Sequence, residues 1–295
     1  MCPAPISSGE PLGLRHQARL DALLRERFAD RGGFCLSDPW FANLYLFREA
    51  HAYRFVDGAL PYVSGLTYDG VRHILPLFEP ATASSDELDA LFHRADCLFP
   101  LSQSQVDRLD PRRFDWASSR ADEDYLYLAQ DIRDYGGRLR AKKLNLVRQL
   151  LAAHEVQCRT YGIDDLGTCT FIVQEWMAAK GKRQGEADER ACLEALAMAP
   201  QLGLTGFVYF VGHRPAGFVL LQLLRDDYAV VRFAKGSEAF KGIYQYMFRH
   251  AATAFRSVNW LNFEQDMGLP NFRQTKMSYG PAALVPKFRV RVRSR

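Results

Sequence analysis

A carboxylate, two cations and a phenol lie close together near the C-terminal end of this sequence: Glu264, Arg273, Lys276 and Tyr279, with Asp266 beside the first. Acylating an amine needs one group to take the amine proton and another to return a proton to the departing atom. Glu264 suits the first task, directly or through a water, and Tyr279 the second. Arg273 or Lys276 could hold a phosphate, because cations bind oxyanions through charge-assisted hydrogen bonds. The same residues also fit a structural knot, in which Glu264 or Asp266 pairs with Arg273 or Lys276 and pins a short helix.

The elements that must position them follow from spacing. Trp260, Asn262 and Glu264 alternate with Leu261 and Phe263, the period of a strand. Gly268 ends the pattern, and Pro270 suits the first turn of a helix. Arg273 and Lys276 are then neighbours on one helical face, and Tyr279 falls in the exit loop.

Upstream, periodicity predicts a helix over about 15–30, with Leu20, Leu23, Leu24 and Phe28 as its apolar stripe and Gly32-Gly33 as its stop. Strands are expected at 53–56, 60–63 and 73–77, punctuated by Asp57-Gly58 and Asp69-Gly70. A helix capped by Ser85 should run to about Ala95, and 124–129 reads as a strand. Helices are predicted at 139–154, 166–179 and 188–199, and a meander at 207–211, 217–224 and 228–234. A helix over 243–255 and the strand at Trp260 complete the series. Periodicity alone gives α+β, with two lobes.

Three stretches carry a family resemblance. The run 262–281 resembles the C-terminal signature of the DUF2156 proteins, which are similar to the soluble C-terminal domain of phosphatidylglycerol lysyltransferases. Ser37-Asp38-Pro39-Trp40-Phe41-Ala42-Asn43-Leu44-Tyr45-Leu46-Phe47 resembles the N-terminal signature of that family. Asp124-Tyr125-Leu126-Tyr127 and Lys142-Lys143-Leu144-Asn145-Leu146-Val147-Arg148 resemble its central one. The family usually has Arg-Asn-His where this chain has Leu144-Asn145-Leu146, so part of that site is altered.

The resemblance implies two tandem Gcn5-like domains, of the acyl-CoA N-acyltransferase (GNAT) type. Each is a mixed, mostly antiparallel sheet flanked by helices. We place them at 1–130 and 131–295, with the active site in the second. The resemblance also implies transfer of an aminoacyl group from aminoacyl-tRNA to an amine or hydroxyl acceptor, Tyr279 then protonating a ribose hydroxyl. Two other readings stand beside it: an acyl-CoA-dependent N-acyltransferase, and a non-catalytic binding module that uses the same cleft.

The connection from Ala234 to Gly242 bears on the donor. In Gcn5-like enzymes this strand-to-helix loop cradles a pyrophosphate on backbone N–H groups. Here Lys241-Gly242-Ile243-Tyr244 puts Ile243 where a second small residue belongs, so the side chain should hinder close approach of a pyrophosphate. Gly236 and Gly242 could simply supply turn geometry. The resemblance instead makes Lys241, Gly242 and Tyr244 the frame of an aminoacyl pocket, with Asp266, Arg273 and Lys276 as further substrate ligands.

Two basic runs could meet an anionic partner. On the helix from Leu139, the apolar face formed by Leu139, Leu146, Val147 and Leu150 has Lys143 in its middle and Lys142 at its edge. Their ammonium groups must snorkel to the rim or meet phosphate. Arg138, Arg140, Lys142, Lys143 and Arg148 form a run without an acid, which with Asn145 suits a tRNA backbone or a lipid head group. In the tail, Lys287, Arg289, Arg291, Arg293 and Arg295 occupy alternate positions, so a strand would hold all five on one face. That pattern fits a sheet edge protected against aggregation, or a contact with tRNA or another anionic surface.

The 295 residues, 48% hydrophobic and 24% charged, suffice for one large core or two smaller ones. A net charge of +4 says little about partners. No stretch nears ~18 consecutive apolar residues, so no transmembrane helix is expected, and the N-terminal stretch lacks the pattern of a secretory signal. A cytoplasmic protein is expected, with a small molecule or a lipid head group as acceptor. The six cysteines show no CxxC pair and no metal-ligand spacing to a histidine, so no metal site is expected. They read as reduced, packed thiols with no base suggested beside them. No permanently bound cofactor is expected; the donor, aminoacyl-tRNA or acyl-CoA, is a substrate. GxGxxG, Walker, HExxH and GxSxG motifs do not occur, which removes support for dinucleotide, P-loop and serine-hydrolase chemistry.

Overall fold

The computed structural model describes residues 8–28 and 33–293. Gly32 and Arg295, named above, lie outside the described residues, as do Cys2, one of the six cysteines, and the end of the helix expected over 15–30. The chain forms two compact units, each a mixed sheet with helices. The first unit holds the described residues up to Asp124 together with Gln265–Leu269 and the chain from Val285 onward. The second holds Tyr125–Glu264 and Pro270–Leu284.

In the first unit the strands are Glu10–Pro11 (β1), Arg54–Val56 (β2), Tyr62–Leu66 (β3), Arg72–Pro76 (β4), Cys97–Leu101 (β5) and Phe114–Ser118 (β6), joined by the last strand of the chain, Phe288–Val292 (β14). Their order is β1-β2-β3-β4-β5-β14-β6. β4 and β5 run parallel, and the other neighbours run antiparallel. The β3–β4 hairpin turns where Asp69-Gly70 predicts it: Gly70 has φ +81°, and its N–H donates to Thr67 O at 2.9 Å. The helices are Gln17–Phe28 (α1), Phe41–Leu46 (α2), Ser85–Phe92 (α3) and Gln103–Val106 (α4). The cap of α3 is Ser84, not Ser85. Ser84 Oγ accepts from Glu87 N while Glu87 takes the Ser84 N–H at 2.8 Å, the reciprocal pair that a Glu three residues on makes possible.

The tail corrects an expectation. β14 is not an edge: it pairs with β5 on one side and β6 on the other. Its Phe288 and Val290 enter the core with Leu98, Leu101 and Phe114. Its basic residues meet acids. Lys287, 1% exposed, pairs with Asp38 and with Asp124 at 2.7 Å. Arg289 pairs with Asp69 at 2.7 Å and Asp122 at 3.0 Å, and Arg293 with Asp115 at 2.6 Å. A charge in an interior strand must be paired if it is buried, so Lys287 and Arg289 are used within the fold, while Arg291 is exposed.

The second unit follows with strands Asp124–Leu128 (β7, in this unit from Tyr125), Val156–Thr160 (β8), Leu204–Val211 (β9), Arg214–Arg225 (β10), Tyr228–Gly236 (β11), Trp260–Asn262 (β12) and Ala283–Val285 (β13, in this unit to Leu284). Their order is β13-β7-β12-β11-β10-β9-β8, with β11 and β12 parallel. The helices are Ala129–Asp134 (α5), Gly137–Ala153 (α6), Leu166–Ala179 (α7), Glu189–Ala197 (α8), Ile243–Ala254 (α9) and Pro270–Met277 (α10). Ile243, Met247 and Ala251, spaced one helical turn apart on α9, pack with Tyr125, Tyr209, Val219 and Leu261 of the sheet. On α6, Val147 and Leu150 are buried as expected, but Leu139 is 62% exposed. No helix among the described residues is long and apolar enough to cross a membrane.

Candidate active site

β12 ends at Asn262, and the backbone turns sharply there. Glu264 adopts φ +57°, held by its N–H donating to Asn262 Oδ1 at 2.7 Å. A left-handed conformation is unfavourable for a residue with a Cβ, so it marks a place where neighbours fix the chain. They do so through Phe263 N to Tyr125 O at 2.9 Å and Tyr125 N to Glu264 O at 3.2 Å. The turn aims the Glu264 side chain at Arg232 of β11, whose Nη1 donates to Glu264 Oε1 at 2.6 Å. The guanidinium is 2% exposed and the carboxylate side chain 25%, so the pair is buried on its cationic side and open on its acidic one. Gln222 Oε1, on β10, takes the Arg232 Nε and Nη2 protons at 2.9 and 2.7 Å, which fixes the plane of the guanidinium.

Sequence reasoning missed Arg232 and Gln222. The signal was present: an arginine inside the apolar run Tyr228–Ala234 needs a buried partner. It missed a second pair of the same kind, in which Lys235 Nζ meets Asp188 at 2.6 Å and lies 3.9 Å from the centre of the Trp176 ring.

The other candidates divide. Lys276 donates to Phe263 O at 2.6 Å and Glu264 O at 3.2 Å, and its own carbonyl accepts from the Tyr127 hydroxyl at 2.8 Å. It therefore pins α10 to the end of β12. Arg273 is half-buried on the same helix. Asp266 belongs to the first unit, where it is fully buried, takes the Gly268 N–H at 2.8 Å and pairs with Arg120 at 3.6 Å. Tyr279, expected as the proton donor, is 2% exposed and ringed by Tyr127, Tyr135, Phe248 and Phe263. Its hydroxyl accepts from Gln245 Nε2 at 2.9 Å, and burial pushes its phenol well above the usual range. The ring is therefore packed into the core, and its hydroxyl is engaged by Gln245.

The basic helix is also divided. Lys143 donates to Ser278 Oγ at 2.7 Å and lies 4.1 Å above the Tyr279 ring, and burial lowers its pKa. Arg140 holds Tyr279 O and Gly280 O, both at 2.8 Å, and pairs with Asp131 at 2.7 Å. These two cations fasten the exit loop after α10. Arg138, Lys142, Asn145 and Arg148 are exposed.

In the strand-to-helix connection Ile243 is not the obstacle expected. The Ile243 side chain turns into the core. Tyr244 reaches back instead: its hydroxyl accepts from Gly236 N at 3.0 Å, and burial pushes that phenol up to about 12. Gly242 is buried at φ +97°, and a Cβ there would meet Leu146 O at 2.4 Å, so glycine is required for α9 to approach α6. Lys241 is exposed.

The arrangement offers a half-open carboxylate at a strand end, held by a buried guanidinium, and a neighbouring loop whose first N–H is already used. Known proteins fit this frame. No curated protein matches the chain. A conserved protein of unknown function from Bacteroides thetaiotaomicron superposes with a TM-score of 0.81 at 20% identity, over 96% of this chain and 99% of that one. A C-terminal domain (DUF2156) assigned to a lysylphosphatidylglycerol synthetase of Agrobacterium fabrum gives 0.62 at 12% identity, over 95% and 93%. L-PGS from Bacillus licheniformis gives 0.61 at 14%, over 98% and 94%. At these identities the likeness speaks for the fold. Residues 36–291 match the family model described as phosphatidylglycerol lysyltransferase, C-terminal, and the chain belongs to that family.

Proposed function

We propose that this protein is an acyl-group transferase that moves an aminoacyl group from aminoacyl-tRNA to an amine or hydroxyl acceptor. Each unit carries the order of three antiparallel strands, a helix and a strand parallel to the third: β2-β3-β4-α3-β5 in the first, β9-β10-β11-α9-β12 in the second. This supports the reading of two tandem Gcn5-like domains. The observation that carries the choice of donor is the Tyr244 hydroxyl on Gly236 N. A coenzyme A pyrophosphate held in the usual way needs free backbone N–H groups between the strand and the helix N-terminus; here Gly236 N at the strand end is taken by Tyr244, and Ile243 N at the start of α9 donates to Phe240 O at 3.1 Å.

In the proposed reaction the acceptor nitrogen or oxygen attacks the ester carbonyl of the donor. The ester C–O bond breaks, and the ribose hydroxyl leaves. Glu264 takes the proton of the acceptor, directly or through a water, and returns it to the departing oxygen. Arg232 keeps the carboxylate in place while the charge on it changes. Tyr244 and the exposed Lys241 border the aminoacyl group, and Arg138, Lys142, Asn145 and Arg148 lie along the path of the tRNA backbone.

The test is binding of coenzyme A by calorimetry, with wild type and Tyr244→Phe. No saturable binding to wild type is expected. Micromolar binding to the wild-type protein sinks the donor assignment and favours acyl-CoA-dependent transfer.

A further inference from the structure

Away from this site, an exposed thiol, an imidazole and a phenol form a chain. Cys158 lies on β8, the outer strand of its sheet, directly opposite Tyr209 of β9. Cys158 Sγ is 3.2 Å from His250 Nε2, and His250 Nδ1 is 3.0 Å from the Tyr209 hydroxyl. That hydroxyl donates to Met247 O at 3.3 Å. In the tautomer with the imidazole hydrogen on Nδ1, that hydroxyl proton stays directed at Met247 O and Tyr209 accepts from His250 Nδ1–H. Nε2 is then left with its lone pair facing the thiol. Phe207 packs its ring edge-on against His250, and Tyr246 stacks on it, so the ring is held in plane. A nucleophile hydrogen-bonded to a base, with the base oriented by a third group, is the arrangement that activates thiols. Cys35, Cys97, Cys169 and Cys192 are buried, whereas Cys158 is exposed.

We propose that Cys158 is a reactive thiol, with His250 as its base, that forms mixed disulfides with low-molecular-weight disulfides. In the step, Cys158 Sγ attacks one sulfur of the small disulfide, and the S–S bond breaks. His250 Nε2 takes the thiol proton and passes it to the leaving thiolate. Cys158 is oxidised to the mixed disulfide, and the other half of the reagent is reduced to a thiol.

Burial pushes the thiol up and the imidazole down, so the resting pair is neutral and the proton moves only as the S–S bond forms. The titratable groups around the ring are Cys158 from β8, Tyr209 from β9, and Tyr246 and Arg249 from α9. Burial raises both phenols, and Arg249 donates to Arg133 O at 2.7 Å. His250 is thus the group that sets the pH dependence.

The experiment uses oxidised glutathione on the full chain carrying Cys2→Ser, with the modified peptide mapped by mass spectrometry and the rate followed against pH. Cys158 should be modified first, with a rate that rises through the histidine range and levels off below the ordinary thiol range. His250→Gln should slow it at least ~10-fold at neutral pH, the low end of what a positioned base contributes. Tyr209→Phe should slow it less, since the base remains and only its orientation is lost. A rate that climbs only through the thiol range overturns the proposal, and this reading needs wild type alone if His250→Gln fails to fold. An unchanged rate in a folded His250→Gln protein overturns it equally.

Discussion

The chain has two basic runs of similar prominence, β14 and α6, and they end in different surroundings. Arg289 on β14 and Lys287 and Arg293 at its two ends each meet at least one aspartate of the first unit, and Arg291 is exposed. On α6, Arg140 and Lys143 are used to hold a loop, while Arg138, Lys142 and Arg148 stand exposed. The comparison teaches that a row of cations is evidence for an anionic partner only after the acids of the fold have taken their share. Of the β14 row, Lys287 and Arg289 are staples. What remains of the α6 row can reach phosphate.

Three experiments can break or sharpen that contrast. The largest effect is expected from Lys287→Met, which leaves the Asp38 and Asp124 carboxylates without their buried cation. Removing one partner of a buried pair costs roughly 3–5 kcal/mol, read as a lower urea midpoint. A midpoint within error of wild type would mean that β14 is not held by its charges.

A smaller, pH-dependent effect comes from the same residue. Burial alone would lower the pKa of Lys287, but Asp124 and Asp38 outweigh it and raise it above the ordinary lysine value of 10.5. With the folded pKa above the unfolded one, the stabilisation is complete below about 10.5 and is lost as pH rises beyond it. The stability gap between wild type and Lys287→Met should therefore narrow on the alkaline side of about 10.5, the unfolded lysine value. A gap constant with pH would contradict the pairing.

The smallest effect on stability is expected from Lys142→Ala with Arg148→Ala, within about 0.5 kcal/mol of wild type, as for exposed positions. Binding of tRNA should weaken for all sequences alike, and the dependence of log affinity on log salt should become shallower by about 1–2. Unchanged binding would return α6 to a solvated face and leave tRNA recognition elsewhere.

Much of the frame was legible in the sequence, and the reasons for the rest are local. α7 and the meander followed from period and turn residues, because those segments obey one pattern from end to end. β5 and β6 were missed: β5 is a short, wholly buried run whose alternation is absent, and β6 gains its place from β14, far away in sequence. Glu264 was visible as a carboxylate at a strand end. Its partner Arg232 was hidden because the pairing crosses from β11 to the turn after β12, which no local spacing reveals. Tyr279 was visible as a phenol beyond α10, but its burial was not. Its position in an exit loop suggested exposure, but Tyr127, Phe248 and Phe263 close over it. Cys158 and His250 lie on different elements and meet only through the packing of α9 on the sheet.

The most direct test of the central claim is a transfer assay with two donors. Wild type and Glu264→Gln are incubated with tRNAs charged with labelled amino acids, and separately with labelled acetyl-coenzyme A, each with an extract of small molecules and lipids. The account predicts label transferred from tRNA alone, and a rate at least ~100-fold lower in Glu264→Gln, as loss of a general base implies. Transfer from acetyl-coenzyme A alone would contradict it, as would an undiminished rate in the variant. No transfer from either donor would contradict it too, and would favour a module that binds its ligand without catalysis.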